Sequence, residues 1–275
     1  MSPDVGELDE LAFAEAMAQD PDEALGLLAD LAGATDERLR ELARQLAGRL
    51  VVELARTGPT RRRGVGKVRR LPYRPDGGDL DLDASMEALA IARAGGSPPD
   101  PDELRVRGWV KPGTALCLMV DRSGSMSGRP LATAAVAASA VAFRAPADHS
   151  VLAFASDVIV TKSQETPRPP EQIVNDLLVL RGHGTTDLAL ALRAAHAQLD
   201  RSRAGRRIAV LLSDCRATVQ GDVTAAAARF DELWVVAPEG DSADAEALAA
   251  SVGAKLATVA GPSDIADAFA RLAEG

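Results

Sequence analysis

The chain has 275 residues, enough for one large α/β domain and a smaller helical part. Apolar residues make up 47% of it but aromatic ones only 3%, so its core must come from Ala, Leu and Val, which suits helices and parallel strands better than an aromatic-rich sandwich. A net charge of −9 argues against general nucleic-acid binding, Cys117 and Cys215 lie in or beside apolar runs and form no disulfide framework, and no apolar stretch reaches membrane-span length.

The acidic opening MSPDVGELDELAFAEAM lacks the bases of a secretory leader, so the chain is expected in the cytoplasm. Residues 1–58 read as a helical N-terminal region. Asp20-Pro21 is a helix start, followed by Leu25, Leu28 and Leu31 at helical spacing, and a longer helix is expected over 36–57, with Leu39, Leu42, Leu46, Leu50 and Leu54 on one face. These helices could pair among themselves or pack on the main domain.

Residues 59–80 are a basic segment without helical or strand period: 61–75 holds seven Lys and Arg and no acid, between acidic flanks. It reads as a flexible linker or as a docking arm for an acidic partner surface. A phosphate-binding loop at GVGK fails, because Arg61 stands where glycine is needed and Val68 follows Lys67 where a hydroxyl is needed. Residues 81–112 are expected to form a helix, starting near Asp83 and stopping at Gly95-Gly96, and a connecting basic strand, LRVRGWVK. The acids at 79–83 do not make a calcium loop, since Ala84 and Ala90 occupy the positions requiring glycine and glutamate.

Over 113–275 apolar strands alternate with amphipathic helices. Strands are expected at 114–120, 150–155, 157–161, 208–213, 232–237 and 255–259, and helices at 129–143, 170–179, 187–201, 221–229, 242–252 and 263–273. The pattern predicts a doubly wound, mainly parallel six-stranded α/β sheet with helices on both faces, and the short gap at Ser156 predicts one antiparallel edge hairpin. In such sheets ligands sit beyond the carboxyl ends of the strands.

Three loops bring oxygen-bearing side chains to that edge. DRSGSMSG offers Asp121, Ser123 and Ser125; GHGTTDL offers Thr185, Thr186 and Asp187; LLSDC offers Asp214. Two acids brought together repel unless a positive charge lies between them, and a divalent cation meets that need. Oxygen donors without His or Cys select a hard ion, Mg²⁺ first, with Mn²⁺ or Ca²⁺ as alternatives. His183 reads as a loop or partner-contact residue and not as a ligand. Neutral hydroxyl ligands leave most of the cation's charge uncompensated, so the ion would draw in a carboxylate from another protein.

D-x-S-x-S after a first apolar strand, a threonine in GTTDL and an acid after VLLS resemble the metal-ion-dependent adhesion site of von Willebrand factor type A (VWA) domains, over roughly 113–273. The resemblance implies Ser123, Ser125 and Thr186 as direct ligands, Thr186 being preferred to Thr185 because it precedes Asp187. It places Asp121 and Asp214 behind bound waters. Cys215 departs from the family, which often has glycine there. LDLDASMEALAIARAGG and LRVRGWVK are similar to the CoxE-like branch, relatives of the magnesium chelatase D subunit, whose members commonly work with MoxR-type AAA+ ATPases. That branch usually has arginines where Asp83 and Ala84 stand.

The resemblance therefore implies a cytoplasmic, non-enzymatic, metal-dependent interaction module that binds a partner's Asp or Glu, as adaptor or co-chaperone of a MoxR-type ATPase. The alternative is a hydrolase or phospho-acceptor using Ser125 or Asp214. Against it, GSMSG has Met126 where a nucleophile elbow needs serine, none of His149, His183 and His196 is placed as a base, and the paired acids of a phospho-acceptor site are missing after the first strand.

Overall fold

The computed structural model describes residues 10–31, 67–73, 79–110, 113–122, 128–180 and 184–274. The helix expected at 36–57, together with Ser123, Ser125 and His183, lies outside them. The described residues fall into two compact units, one drawn from 1–61 and 114–275, the other from 62–113.

The first unit opens with α1 (Glu10–Gln19) and α2 (Pro21–Leu31). Asp20 starts α2 as its sequence foretells: its carboxylate accepts from the N–H groups of Asp22 (3.1 Å) and Glu23 (3.0 Å), donors that the first helical turn leaves unpaired. Leu25, Leu28 and Ala29 on α2 are fully buried in the core of this unit.

The second unit is a small antiparallel sheet with one helix. It consists of β1 (Lys67–Pro72), β2 (Asp79–Leu80), α3 (Leu82–Gly95) and β3 (Arg105–Val110), in strand order β1-β3-β2. The basic segment expected to lack strand structure thus supplies β1, because β3 offers it a partner. Pairing sets Arg70 opposite Arg107, a like-charge arrangement that destabilises a ladder. Asp81 resolves it, its buried carboxylate taking Arg70 Nε at 2.7 Å and Arg107 Nε at 3.0 Å. The bond to Arg107 is the main reason its pKa drops to about 2, and burial opposes the shift. Asp81, and not Asp83, caps α3 by accepting from Ala84 N at 3.2 Å.

The remainder of the first unit alternates strands and helices: β4 (Thr114–Asp121), α4 (Arg129–Arg144), β5 (His149–Phe154), β6 (Val158–Lys162), α5 (Pro170–Val179), α6 (Leu188–Leu199), β7 (Arg206–Leu212), α7 (Val223–Ala227), β8 (Glu232–Pro238), α8 (Ala243–Val252), β9 (Lys255–Val259), a 3₁₀ turn at Pro262–Asp264 and α9 (Ile265–Glu274). The strands form one six-stranded sheet, β6-β5-β4-β7-β8-β9, parallel except for the expected β5–β6 edge hairpin. Alternate residues of β4 feed opposite faces. Leu116, Leu118 and Val120 enter the core shared with α2, α4, α5 and α9, while Ala115, Cys117 and Met119 enter the one shared with α6, α7 and α8. The alanine-rich α4 is buried from Leu131 to Ala142, its small side chains letting it lie close between the sheet and α2. The helix expected at 221–229 is shorter, because the Asp222 carboxylate accepts from Ala225 N (2.8 Å) and fixes the start there.

Candidate metal centre

β4 and β7 lie side by side in register, with Val120 paired to Leu212, so both strands end at the same level. The next residues, Asp121 and Ser213, are joined by a side-chain bond in which Ser213 Oγ donates to Asp121 Oδ2 at 2.5 Å. Ser213 is buried, and its Oγ also accepts from Cys215 N at 2.8 Å. One hydroxyl therefore sets the orientation of the first acid and the turn that carries the second. Asp214 folds back on that turn, its Oδ1 accepting from Arg216 N at 3.0 Å.

Cys215 has φ +64°, the left-handed conformation that glycine adopts without penalty. Cys215, where the resemblance led to an expectation of glycine, thus holds this turn itself, at a cost of roughly 1–2 kcal/mol for a residue with a Cβ. Burial, reinforced by the charges of Asp214 and Asp121, pushes the Cys215 thiol up to about 12. Cys117 is also fully buried and pushed up to about 12 by burial, so neither thiol is a ready nucleophile.

Thr186 is laced to the same turn. Its N–H donates to Thr218 Oγ1 (2.7 Å), and its carbonyl accepts from Thr218 N and Val219 N, both at 3.1 Å. Asp187 N donates to Ala155 O at 2.8 Å, tying this loop to the end of β5, and the Asp187 carboxylate caps α6 by accepting from Leu190 N at 2.8 Å. Arg122 N in turn donates to Phe154 O at 2.8 Å. Asp121, Thr186 and Asp214 thus stand on three chain segments cross-linked by hydrogen bonds at the carboxyl edge of the sheet.

Among the described residues no three or more His, Cys, Asp or Glu are grouped so as to hold a metal. An ion here would draw on the two acids and on hydroxyls, a donor set of hard oxygens that suits Mg²⁺, Mn²⁺ or Ca²⁺. Arg216 borders the site, paired with Asp241 and, at 3.6 Å, with Asp244. An open hollow of about 470 Å³ lies beside it, lined by Cys215, Arg216, Val223, Asp244 and Leu248.

Sequence reasoning passed over Ser213 and Thr218. Ser213 had a signal, since it is the residue before Asp214 on a strand whose partner ends in Asp121. Thr218 sits in an irregular loop and had none. The described histidines lie away from this edge: His149 starts β5 at the opposite end of the strand, and His196 sits in the last turn of α6, its Nδ1 2.8 Å from Asp200 Oδ2.

Residues 42–260 match the profile of the family described as VWA domain containing CoxE-like protein. No curated protein matches the chain. Among solved structures, the chain is similar to a von Willebrand factor type A protein from Catenulispora acidiphila, with 14% identity over 60% of this chain and 42% of that one and a TM-score of 0.46. It is also similar to the vWF domain of the type V pili tip protein Mfa5 from Porphyromonas gingivalis, with 13% identity over 60% and 95% and a TM-score of 0.48. For the manganese-loaded TRAP protein of Plasmodium vivax the values are 13% over 57% and 71%, with a TM-score of 0.43. The chain spans about two-fifths of the length of the Catenulispora protein.

Proposed function

The chain belongs to the family of VWA domain containing CoxE-like proteins, which supports a protein-interaction module, and on that premise we propose that it captures an acidic side chain of a partner protein through a divalent ion. Ser123, Ser125 and Thr186 would hold the ion directly, with Asp121 and Asp214 acting through bound waters. Mg²⁺ is the proposed ion. Bound by neutral hydroxyls, it would supply a strong, under-neutralised Lewis-acid charge for an incoming Asp or Glu carboxylate.

The observation that supports this reading is the Asp121–Ser213–Cys215 linkage, which ties the end of β4 to the turn that carries Asp214, in the loop whose Thr218 bonds Thr186. The proposed module performs no reaction of its own. Neither histidine among the described residues reaches the edge to serve as a base, and the thiols are held protonated. The proposed partner is a MoxR-type AAA+ ATPase, to which the module would present a client as adaptor or co-chaperone. Among the described residues no helix is long and apolar enough to cross a membrane, which accords with the cytoplasmic setting proposed here.

The test is partner capture with and without EDTA, together with Mg²⁺ calorimetry on the wild type and Asp121→Ala. The expected result is loss of capture and of the binding heat in the variant, with an unchanged fold by circular dichroism. Wild-type Mg²⁺ affinity in Asp121→Ala, or capture indifferent to EDTA, would overturn the reading.

A further inference from the structure

β1 and β3 carry five Lys and Arg and no acid, and their register sets Arg70 directly opposite Arg107. The two guanidiniums converge on one oxygen, Asp81 Oδ2, which lies 2.7 Å from Arg70 Nε and 3.0 Å from Arg107 Nε. The Asp81 side chain is fully buried, whereas those of Arg70 and Arg107 are 63% and 49% exposed.

Charge is the first feature that sets this pair apart. One carboxylate answers two guanidiniums. A second acid, Asp83, reaches Arg107 Nη2 at 3.3 Å, but from an exposed position where an ion pair counts for little. The pair therefore keeps positive charge that the fold does not neutralise. The segment 62–113 that forms the second unit holds ten Lys and Arg against eight Asp and Glu, in a chain whose net charge is −9.

The second feature is the way the donors are shared. Asp81 takes Arg70 by its inner nitrogen, Nε, and takes Arg107 along the edge formed by Nε and Nη2, the latter donating to Oδ1 at 3.1 Å. Among the described residues these bonds leave the two terminal nitrogens of Arg70 for an outside acceptor. Such a planar fork matches the two oxygens of a carboxylate, and here a buried acid holds it in place beforehand. The third feature is apolar surface. Leu82 sits between Asp81 and Asp83, both bonded to Arg107, and it is exposed, as is Met86 one turn further along α3. The helix buries Ser85, Ala88 and Ala92 instead.

Arginine beside exposed Leu and Met is the composition of a protein-binding surface. A run of phosphates fits it less well. Asp79 stands opposite Arg107 on β2 and Asp83 adjoins it, so a dense polyanion would meet both acids and a chain of like charge. We propose that the Arg70–Arg107 face of the second unit docks an acidic segment of a partner protein, taking an Asp or Glu carboxylate on the fork of Arg70 and an apolar neighbour on Leu82 and Met86. No metal ion takes part, so this surface is independent of the site described above.

The test is fluorescence anisotropy on the full chain in EDTA, with a short labelled peptide of Glu, Leu and Ser as probe. The same peptide with Gln in place of Glu and a polythymidine strand are the controls. The acidic peptide alone is expected to bind, more weakly as salt rises. In Arg70→Ala, Asp81 keeps Arg107 and the like-charge opposition is gone, and affinity should fall by about ten-fold or more. Arg70→Lys keeps the charge without the planar fork and should lose about three-fold or more, and it serves should Arg70→Ala fold poorly. No binding by the wild type, or equal affinity in the wild type and both variants, overturns the inference and leaves the metal reading standing. Polythymidine bound as tightly as the peptide would assign the face to nucleic acid and overturn it too. Self-association of the chain that Arg70→Ala abolishes would assign the face to a second copy, with the same consequence. Peptide binding that appears only when Mg²⁺ is added belongs to the metal reading and overturns this one.

Discussion

Ser213 Oγ donates to Asp121 Oδ2 at 2.5 Å across the ends of two adjacent parallel strands, and the same oxygen accepts from Cys215 N at 2.8 Å. One buried hydroxyl thereby orients the first carboxylate and fixes the turn that carries Asp214.

Removing that hydroxyl separates the effects. Ser213→Ala should lower Mg²⁺ affinity by about 10–100-fold, because Asp121 loses the donor that orients it. It should also cost about 1–3 kcal/mol in denaturant unfolding, since Cys215 N is left buried without an acceptor. Ser213→Thr should recover most of both. Unchanged calorimetry in Ser213→Ala would show that Asp121 needs no such orientation.

The left-handed turn at Cys215 calls for two substitutions. Cys215→Gly relieves strain of roughly 1–2 kcal/mol but gives up buried apolar surface and adds freedom to the unfolded chain, so stability should stay within about 1 kcal/mol of wild type. Cys215→Val puts a β-branched residue at φ +64° and should destabilise by about 2 kcal/mol or more. Urea unfolding of the two variants checks this, and equal stabilities would contradict the strain argument.

Acid should weaken the fold through a buried histidine. His149 is 2% exposed, and burial, aided by the charge of Lys162, holds its pKa at about 4, against the pull of the Ala145 carbonyl and Asp148. The unfolded chain takes up this proton near pH 6.5 and the folded chain only near pH 4, so stability is lost as pH falls through that window. The loss should reach about 2 kcal/mol between pH 7 and 5. Glu232 acts lower down. Burial disfavours its charge, but bonds from Arg206, Trp234 and Lys255 outweigh that and hold it at about 2, so its contribution fades only as pH falls from about 4.5 towards 2. Denaturant unfolding at pH 7 and 5 should show a slope that His149→Asn flattens. A slope retained in that variant would assign it elsewhere.

Much of the α/β order was readable in advance because each strand and helix carries its own period. The β5–β6 hairpin followed from a gap too short for a crossover, and Asp20-Pro21 marked the start of α2 by local bonding alone. The strand Lys67–Pro72 escaped notice, as its arginines and proline carry no period. It exists because β3 pairs with it and because Asp81 sits between Arg70 and Arg107. The helix expected to start near Asp83 starts at Leu82, and only the fold decides that it is the Asp81 carboxylate that reaches Ala84 N.

The candidate site divides in the same way. The types of Asp121, Thr186 and Asp214, and their places at the ends of apolar strands and before a helix, are local properties, so the expectation of a hard-oxygen donor set comes from the chain itself. Ser213 at Asp121 and Thr218 at Thr186 could not be foreseen, because these bonds join residues 92 and 32 positions apart. Periodicity and residue chemistry act over a few residues and are written directly in the sequence. Which distant backbone ends meet is settled only when the whole core closes, and there the tertiary structure alone decides.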